Sequence, residues 1–141
     1  MKTAIVFFVM ATLLTLTGCL NMNGAKPSEL FAQADLIYDD IKTIVTDKDV
    51  RPLISDDVLL RLKKAETIYL AAREGLNVPG VVDPVDGLVE SGQELISILD
   101  TFVLEGRYKK EIAGVRVISK VLMNRIKIYK GQKEIDEAFK Q

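Results

Sequence analysis

The chain of 141 residues contains no histidine, and that absence removes a good deal of chemistry at once. The commonest general base and the commonest zinc ligand are both missing. Cysteine is reduced to a single residue, Cys19, so no internal disulfide can form, and with histidine absent neither a Cys–His nor a Ser–His–Asp apparatus can be assembled. No internal repeat, low-complexity tract or phosphate-binding glycine loop is present. Basic excess is lacking too: 19 Lys and Arg stand against 20 Asp and Glu, a balance that argues against nucleic acid as the main partner. An enzyme is therefore not expected, nor is a metal or another cofactor.

Long apolar runs are scarce as well, and the exception lies at the start. Met1-Lys2 gives a positive beginning, and residues 3–18 form an uncharged, mostly apolar run of 16. A transmembrane helix needs about 20 such residues. The run ends in Thr17-Gly18-Cys19 and an Asn-rich stretch, with none of the Lys, Arg or aromatic anchors of a stop-transfer segment. A positive start, an apolar middle and small residues before a cleavage point are the layout of an export signal.

Leu16-Thr17-Gly18-Cys19 also resembles the lipobox of bacterial lipoproteins, in which an aliphatic residue, two small residues and a cysteine precede cleavage and lipidation. The resemblance covers the first twenty residues or so and implies that Cys19 becomes the lipidated first residue of the mature chain. Two or three acyl chains would then hold it to a membrane, each buried methylene contributing about 0.8 kcal/mol. Alkylation also disposes of a free thiol that would be a liability in an oxidising compartment. In lipoproteins of hosts with two membranes, an Asp after the cysteine commonly marks inner-membrane retention. Leu20 there points instead to the periplasmic face of the outer membrane.

The chain thus divides into a signal peptide over 1–18, a lipidated cysteine and short tether over 19–27, and one domain over 28–141. Loss of Lys2 leaves 18 basic against 20 acidic side chains. Extended at about 3.5 Å per residue, the seven linker residues 20–26 reach only about 25 Å, so the domain should ride close to the lipid surface.

Within the domain, hydrophobic periodicity predicts an all-α fold, a small antiparallel bundle of three or four helices. Ser28 is a candidate cap for the first, with a stripe at Leu30, Ala34, Ile37, Ile41 and Ile44. Pro52 bars continuation, and Ser55 caps the second, whose stripe is Val58, Leu62, Ala65, Tyr69, Ala72 and Leu76. Asp83 caps the third and Pro84 fits its first position; Val85, Leu88, Gly92, Leu95, Leu99 and Phe102 follow. Gly87, Ser91 and Gly92 weaken this helix locally and are expected to let a neighbouring backbone come close.

The last helix is expected over 108–130, with Tyr108, Ile112, Val115, Ile118, Leu122, Ile126 and Tyr129 on one face and Gly131 closing it. Val117, Val121 and Ile128 form a second apolar strip. In a four-helix bundle its ordinary use is to be wrapped by neighbours, which is the expectation here; the alternative is a surface for a partner. The alternation through Arg125-Ile126-Lys127-Ile128-Tyr129-Lys130 is strand-like. A hairpin over 115–130 would need a turn, however, and residues 119–124 contain no Gly or Pro, so a helix is expected.

Carboxylates are plentiful, and a pair acting on a wall glycan would be the remaining catalytic option. Asp39-Asp40, Asp56-Asp57 and Glu90/Glu94 are the nearest candidates, but helix starts and solvated helix faces account for them. Asp47-Lys48-Asp49 lacks the spacing and turn glycine of an EF-hand.

Charge distribution says more. Residues 20–104 carry 8 basic and 15 acidic side chains, whereas 105–141 carry 10 basic and 5 acidic. The plain expectation is that the basic helix packs beside acidic neighbours. The sharper one is that Arg107, Lys109, Lys110, Arg116, Lys120, Arg125, Lys127 and Lys130 offer a positive strip to anionic lipid headgroups or an acidic protein. The expected role is a lipid-anchored, non-catalytic accessory module docking on an integral membrane or envelope protein. Exclusion-type lipoproteins carried by prophages supply an analogy. A self-associating or wall-bridging structural lipoprotein is the alternative, and a wall-glycan hydrolase ranks last.

Overall fold

A computed structural model describes residues 25–76, 83–102 and 106–140. The segment expected to be a signal peptide, the lipobox-like Leu16-Thr17-Gly18-Cys19 and the expected tether up to residue 24 lie outside the described residues. The described residues form four α-helices, α1 (Pro27–Thr46), α2 (Asp56–Gly75), α3 (Pro84–Thr101) and α4 (Gly106–Ala138), with a 3-10 turn at Arg51–Leu53. Among the described residues there is no strand, and the fold is the all-α bundle that the periodicity predicts.

Each start has a local cause. Ser55 caps α2, its hydroxyl accepting from Val58 N at 3.4 Å, and Asp83 caps α3, its carboxylate accepting from Val85 N at 3.1 Å. At α1 the expected cap is displaced: Lys26 holds the cap position without a side-chain bond, and Ser28 lies inside the first turn. Pro27 explains this, since its fixed φ and missing N–H suit the first helical position and start the helix two residues earlier than a Ser28 cap would.

Cross-helix contacts run antiparallel throughout. Tyr108 at the start of α4 meets Asp47 just past α1, while Arg125 farther along reaches Glu29 near the start of α1. Arg61 pairs with Glu94, and Gly87 faces Ala72, so α2 and α3 run in opposite directions. The closest-packed pairs are α2 with α3, α3 with α4, and α1 with α4.

Small residues and aromatics set these spacings. A Cβ added at Gly87 would fall 2.6 Å from Ala72 Cβ, so α2 and α3 approach as the glycine suggests. Between α1 and α2 the rings of Phe31, Tyr38 and Tyr69 intervene, Tyr38 stacking on Tyr69 with centroids 4.6 Å apart. Tyr69 donates to Asp35, which also takes Arg73 at 2.9 Å. Large rings hold these two axes apart and leave a surface groove of about 280 Å³ lined by Tyr38, Ile41, Val45, Leu59 and Leu62.

The core is built mainly from the predicted stripes, with Val58, Ala72, Leu76 and Phe102 only partly buried at its edge and Ile98 and Met123 joining it from outside them. Leu30, Phe31, Ala34, Ile37, Ile41 and Ile44 of α1 are buried, as are Leu62, Ala65 and Tyr69 of α2 and Val85, Leu88, Leu95 and Leu99 of α3. Each fully buried aliphatic or aromatic side chain contributes roughly 1.5–3 kcal/mol. Val50 and Ile54, from the irregular connection after α1, are also buried. Tyr38 brings a hydroxyl inside beside Ser91 without a well-formed hydrogen bond, and burial pushes its pKa up to about 12.

The largest departure from the sequence reading is in α4. It does not end at Gly131 but runs on to Ala138, as a single helix of 33 residues. Two ion pairs hold the segment in register around the glycine: Lys130 with Asp86, and Lys133 with Asp83 at 2.6 Å. At 1.5 Å per residue α4 is about 50 Å long, and the 20-residue α1 only about 30 Å. Its C-terminal turns therefore project beyond the bundle, and residues 134–140 are all exposed.

Candidate functional site: the outer face of the last helix

On α4 the strip expected to be wrapped by neighbours is open. Val117 is 53%, Val121 38% and Ile128 67% exposed, and farther along Ile135 is 51% and Phe139 88% exposed. With 3.6 residues per turn these five positions fall within an arc of about 40°. They form one apolar stripe some 33 Å long, counting about 1.5 Å for each residue from 117 to 139. Ile112, Val115, Ile118, Leu122 and Ile126 occupy the opposite, buried face. Two apolar faces on one helix produce the strand-like alternation near Ile126 and Ile128, one inward and the other outward.

The basic residues divide into two groups. Arg116 pairs with Asp100 at 2.5 Å, Arg125 approaches Glu29 at 3.9 Å, and Lys130 and Lys133 hold Asp86 and Asp83. These lie on the flanks of α4 facing the acidic helices, as the plain expectation has it. The hydrogen bonds that the two lysines donate to Asp86 and Asp83 push their pKa values up. Burial alone would raise the pKa of Asp83, but Lys133 and the Val85 N–H outweigh it and hold it low.

Lys109, Lys110, Lys120 and Lys127 are exposed and form no ion pair with any described residue. Lys110 lies in line with the apolar stripe. The other three sit about 60–80° to one side of it, by the same helical spacing. Arg107 falls in the first turn of α4, and its side chain lies outside what the structure describes. The structure thus brings together an open apolar stripe and a row of uncommitted lysines, which the sequence gives as two separate features.

The leading chain meets this helix at its projecting end. Ala25, Lys26 and Pro27 border a crevice of about 450 Å³ completed by Tyr129, Gln132, Lys133, Asp136, Glu137 and Lys140. Ala25, the first described residue, thus lies beside the overhang of α4.

The acidic candidates are dispersed. Asp39 and Asp40 occupy successive helical positions that do not face each other. Asp40 is half-buried and its pKa is raised, first by burial and then by the charge of Asp39. Asp56 and Asp57 sit in the first turn of α2, Asp56 taking Arg51 at 3.1 Å. Glu94 pairs with Arg61 at 2.8 Å and shares a surface groove of about 470 Å³ with Glu90. Asp47 accepts from Asp49 N at 2.8 Å and from the Tyr108 hydroxyl at 3.0 Å, so this acidic turn secures the start of α4.

Among the described residues no three His, Cys, Asp or Glu side chains gather as a metal-binding group. Nor, among them, is any helix long and apolar enough to cross a membrane. Compared with protein-family models, curated proteins and solved structures, the chain matches none.

Proposed function

We propose that this chain is a lipid-anchored bacterial envelope protein that works by non-catalytic binding, as an accessory module held against a membrane and docking on an integral membrane protein. The single observation that carries the reading is the lipobox-like Leu16-Thr17-Gly18-Cys19 placed only six residues before the bundle's leading edge at Ala25. Six residues span about 20 Å at most. A lipidated Cys19 therefore keeps the whole domain within reach of headgroups and of the surfaces of proteins embedded beside them. In a host with two membranes, Leu20 favours the periplasmic face of the outer one.

The apolar groove between α1 and α2 suits a protein partner. Tyr38, Ile41, Val45, Leu59 and Leu62 line it, and Lys42 bridges to Glu66 at 3.2 Å across its rim. The test is photo-crosslinking in intact bacterial membranes, with a photoreactive residue in place of Lys63 on the groove's edge. Capture of one discrete integral membrane protein is expected. No adduct from the groove, with the protein present in the membrane fraction, would refute docking there.

A further inference from the structure

An amphipathic helix usually spends its apolar face on its own core. α4 does so with Ile112, Val115, Ile118, Leu122 and Ile126 and then carries a second apolar stripe outward, flanked by lysines that pair with none of the described residues. We propose that this outer face of α4 lies on an anionic lipid surface, with the stripe sunk to the level of the headgroups and Lys109, Lys120 and Lys127 reaching the phosphates. The inference rests on the lipid-anchor reading of Cys19 given above.

Three observations select lipid as the occupant. The first is composition: an interfacial helix combines a narrow apolar face with lysines beside it, whose long stems lie along apolar surface while their ammonium groups stay in water. Between residues 107 and 130 the helix carries 8 basic residues and a single acidic one, Glu111. The second is position. Ala25 leaves the bundle against Tyr129, Gln132 and Lys133, about 20–120° around α4 from the edge of the stripe. The six residues back to Cys19 can bridge that offset when the helix lies flat, because about 20 Å of chain exceeds the roughly 10 Å diameter of a helix.

The third is charge complementarity, which works against a second copy of the chain. Two molecules joined stripe to stripe would set Lys120 and Lys127 against the same lysines, or against Arg125, of the other molecule. Like charges across such an interface oppose association. An anionic bilayer meets the row with the opposite sign along its whole length, and each lysine near such a surface strengthens attachment about fivefold. With α4 downward, α2, which is not among the helices packed closely on α4, lies toward the aqueous side.

The experiment uses the protein isolated from bacterial membranes and reconstituted into vesicles of phosphatidylglycerol or of phosphatidylcholine. A nitroxide is attached through Val121→Cys, Ile128→Cys or, as an aqueous control on α2, Leu70→Cys. Collision with oxygen, concentrated in the lipid, is compared with collision with a water-soluble nickel chelate. In phosphatidylglycerol, oxygen is expected to prevail at positions 121 and 128 and the chelate at position 70. In phosphatidylcholine, or after Lys120→Glu with Lys127→Glu, the lipid signature at 121 and 128 should be lost while circular dichroism shows the helices intact.

Chelate-accessible labels at 121 and 128 in phosphatidylglycerol would overturn the proposal. So would dipolar broadening between labels, the sign of a second copy, or shielding that appears only when an acidic membrane protein is added. Labelling of the chain without an introduced cysteine separates the two readings. A reactive Cys19 overturns the anchor and this inference with it, whereas a blocked Cys19 with water-exposed stripe labels overturns the lipid-facing stripe alone.

Discussion

Replacing Gly87 by alanine should destabilise the bundle, although the same change at Gly131 should stabilise it. At Gly131 an added Cβ meets nothing within 4 Å, and the residue sits mid-helix between the Lys130–Asp86 and Lys133–Asp83 pairs. Alanine there should gain about 1 kcal/mol of helix propensity. At Gly87 the added Cβ lands 2.6 Å from Ala72 Cβ. Carbon atoms prefer about 3.5–4.0 Å, so α2 and α3 must part by about 1 Å. Overpacking of that kind costs about 1–3 kcal/mol. Setting it against the 1 kcal/mol or so of propensity leaves a net loss near 1 kcal/mol.

At Gly92 the obstacle is Met123 Sδ at 2.7 Å, the movable part of a flexible side chain, so alanine there should be close to neutral. Urea denaturation followed by circular dichroism measures all three, and the denaturant slope should stay unchanged if only stability moves. Adding Ala72→Gly to Gly87→Ala reopens the space, and the two changes should couple by at least about 1 kcal/mol. If Gly87→Ala stabilises as much as Gly131→Ala, with no coupling to position 72, then α2 and α3 do not meet at that glycine.

Further expectations concern the ring cluster and the third helix. Tyr38→Phe deletes a buried hydroxyl without a well-formed partner and should be neutral or slightly stabilising, whereas Tyr69→Phe strips Asp35 of a donor and should cost about 2 kcal/mol. Both hydroxyls are pushed up mainly by burial, Tyr38 to about 12. An unfolded tyrosine releases its proton near pH 10, roughly, while these hold theirs, so folding stability is unaffected by them below that pH and declines as the pH rises toward 12. Denaturation at pH 8.5 and 11 should show the decline, flattened in the double phenylalanine variant; an unchanged slope would contradict it. Asp83→Ala removes the α3 cap and the partner of Lys133, and thermal unfolding should register a loss of about 1 kcal/mol or somewhat more.

Much of the bundle is legible in the sequence because fours and threes in the apolar spacing mean one thing locally. The stripes from Leu30 to Ile44 and from Ile112 to Ile126 are buried as the periodicity predicts. What the sequence hides depends on distant neighbours. Gly131 carries a stop signal on a local reading, yet Asp83 and Asp86, more than forty residues away, hold the flanking lysines and let the helix continue. Val50 and Ile54 sit in no periodic pattern, so their burial follows only from where the connection folds back.

The outer stripe is a similar case. Val117, Val121 and Ile128 stand out as a second strip, but whether neighbours cover it depends on how the other helices are arranged. Ile135 and Phe139 join it only because α4 does not break. Sequence likewise gives the count of basic residues without their partners. Which basic residues are committed emerges once Asp83, Asp86 and Asp100 are placed beside α4.

The measurement that bears most directly on the whole account is intact-mass and N-terminal peptide spectrometry of the chain isolated from bacterial membranes. The account predicts that residues 1–18 are gone and that Cys19 opens the chain, its sulfur carrying diacylglycerol. A chain that still begins at Met1, or one with an unmodified thiol at position 19, would contradict it.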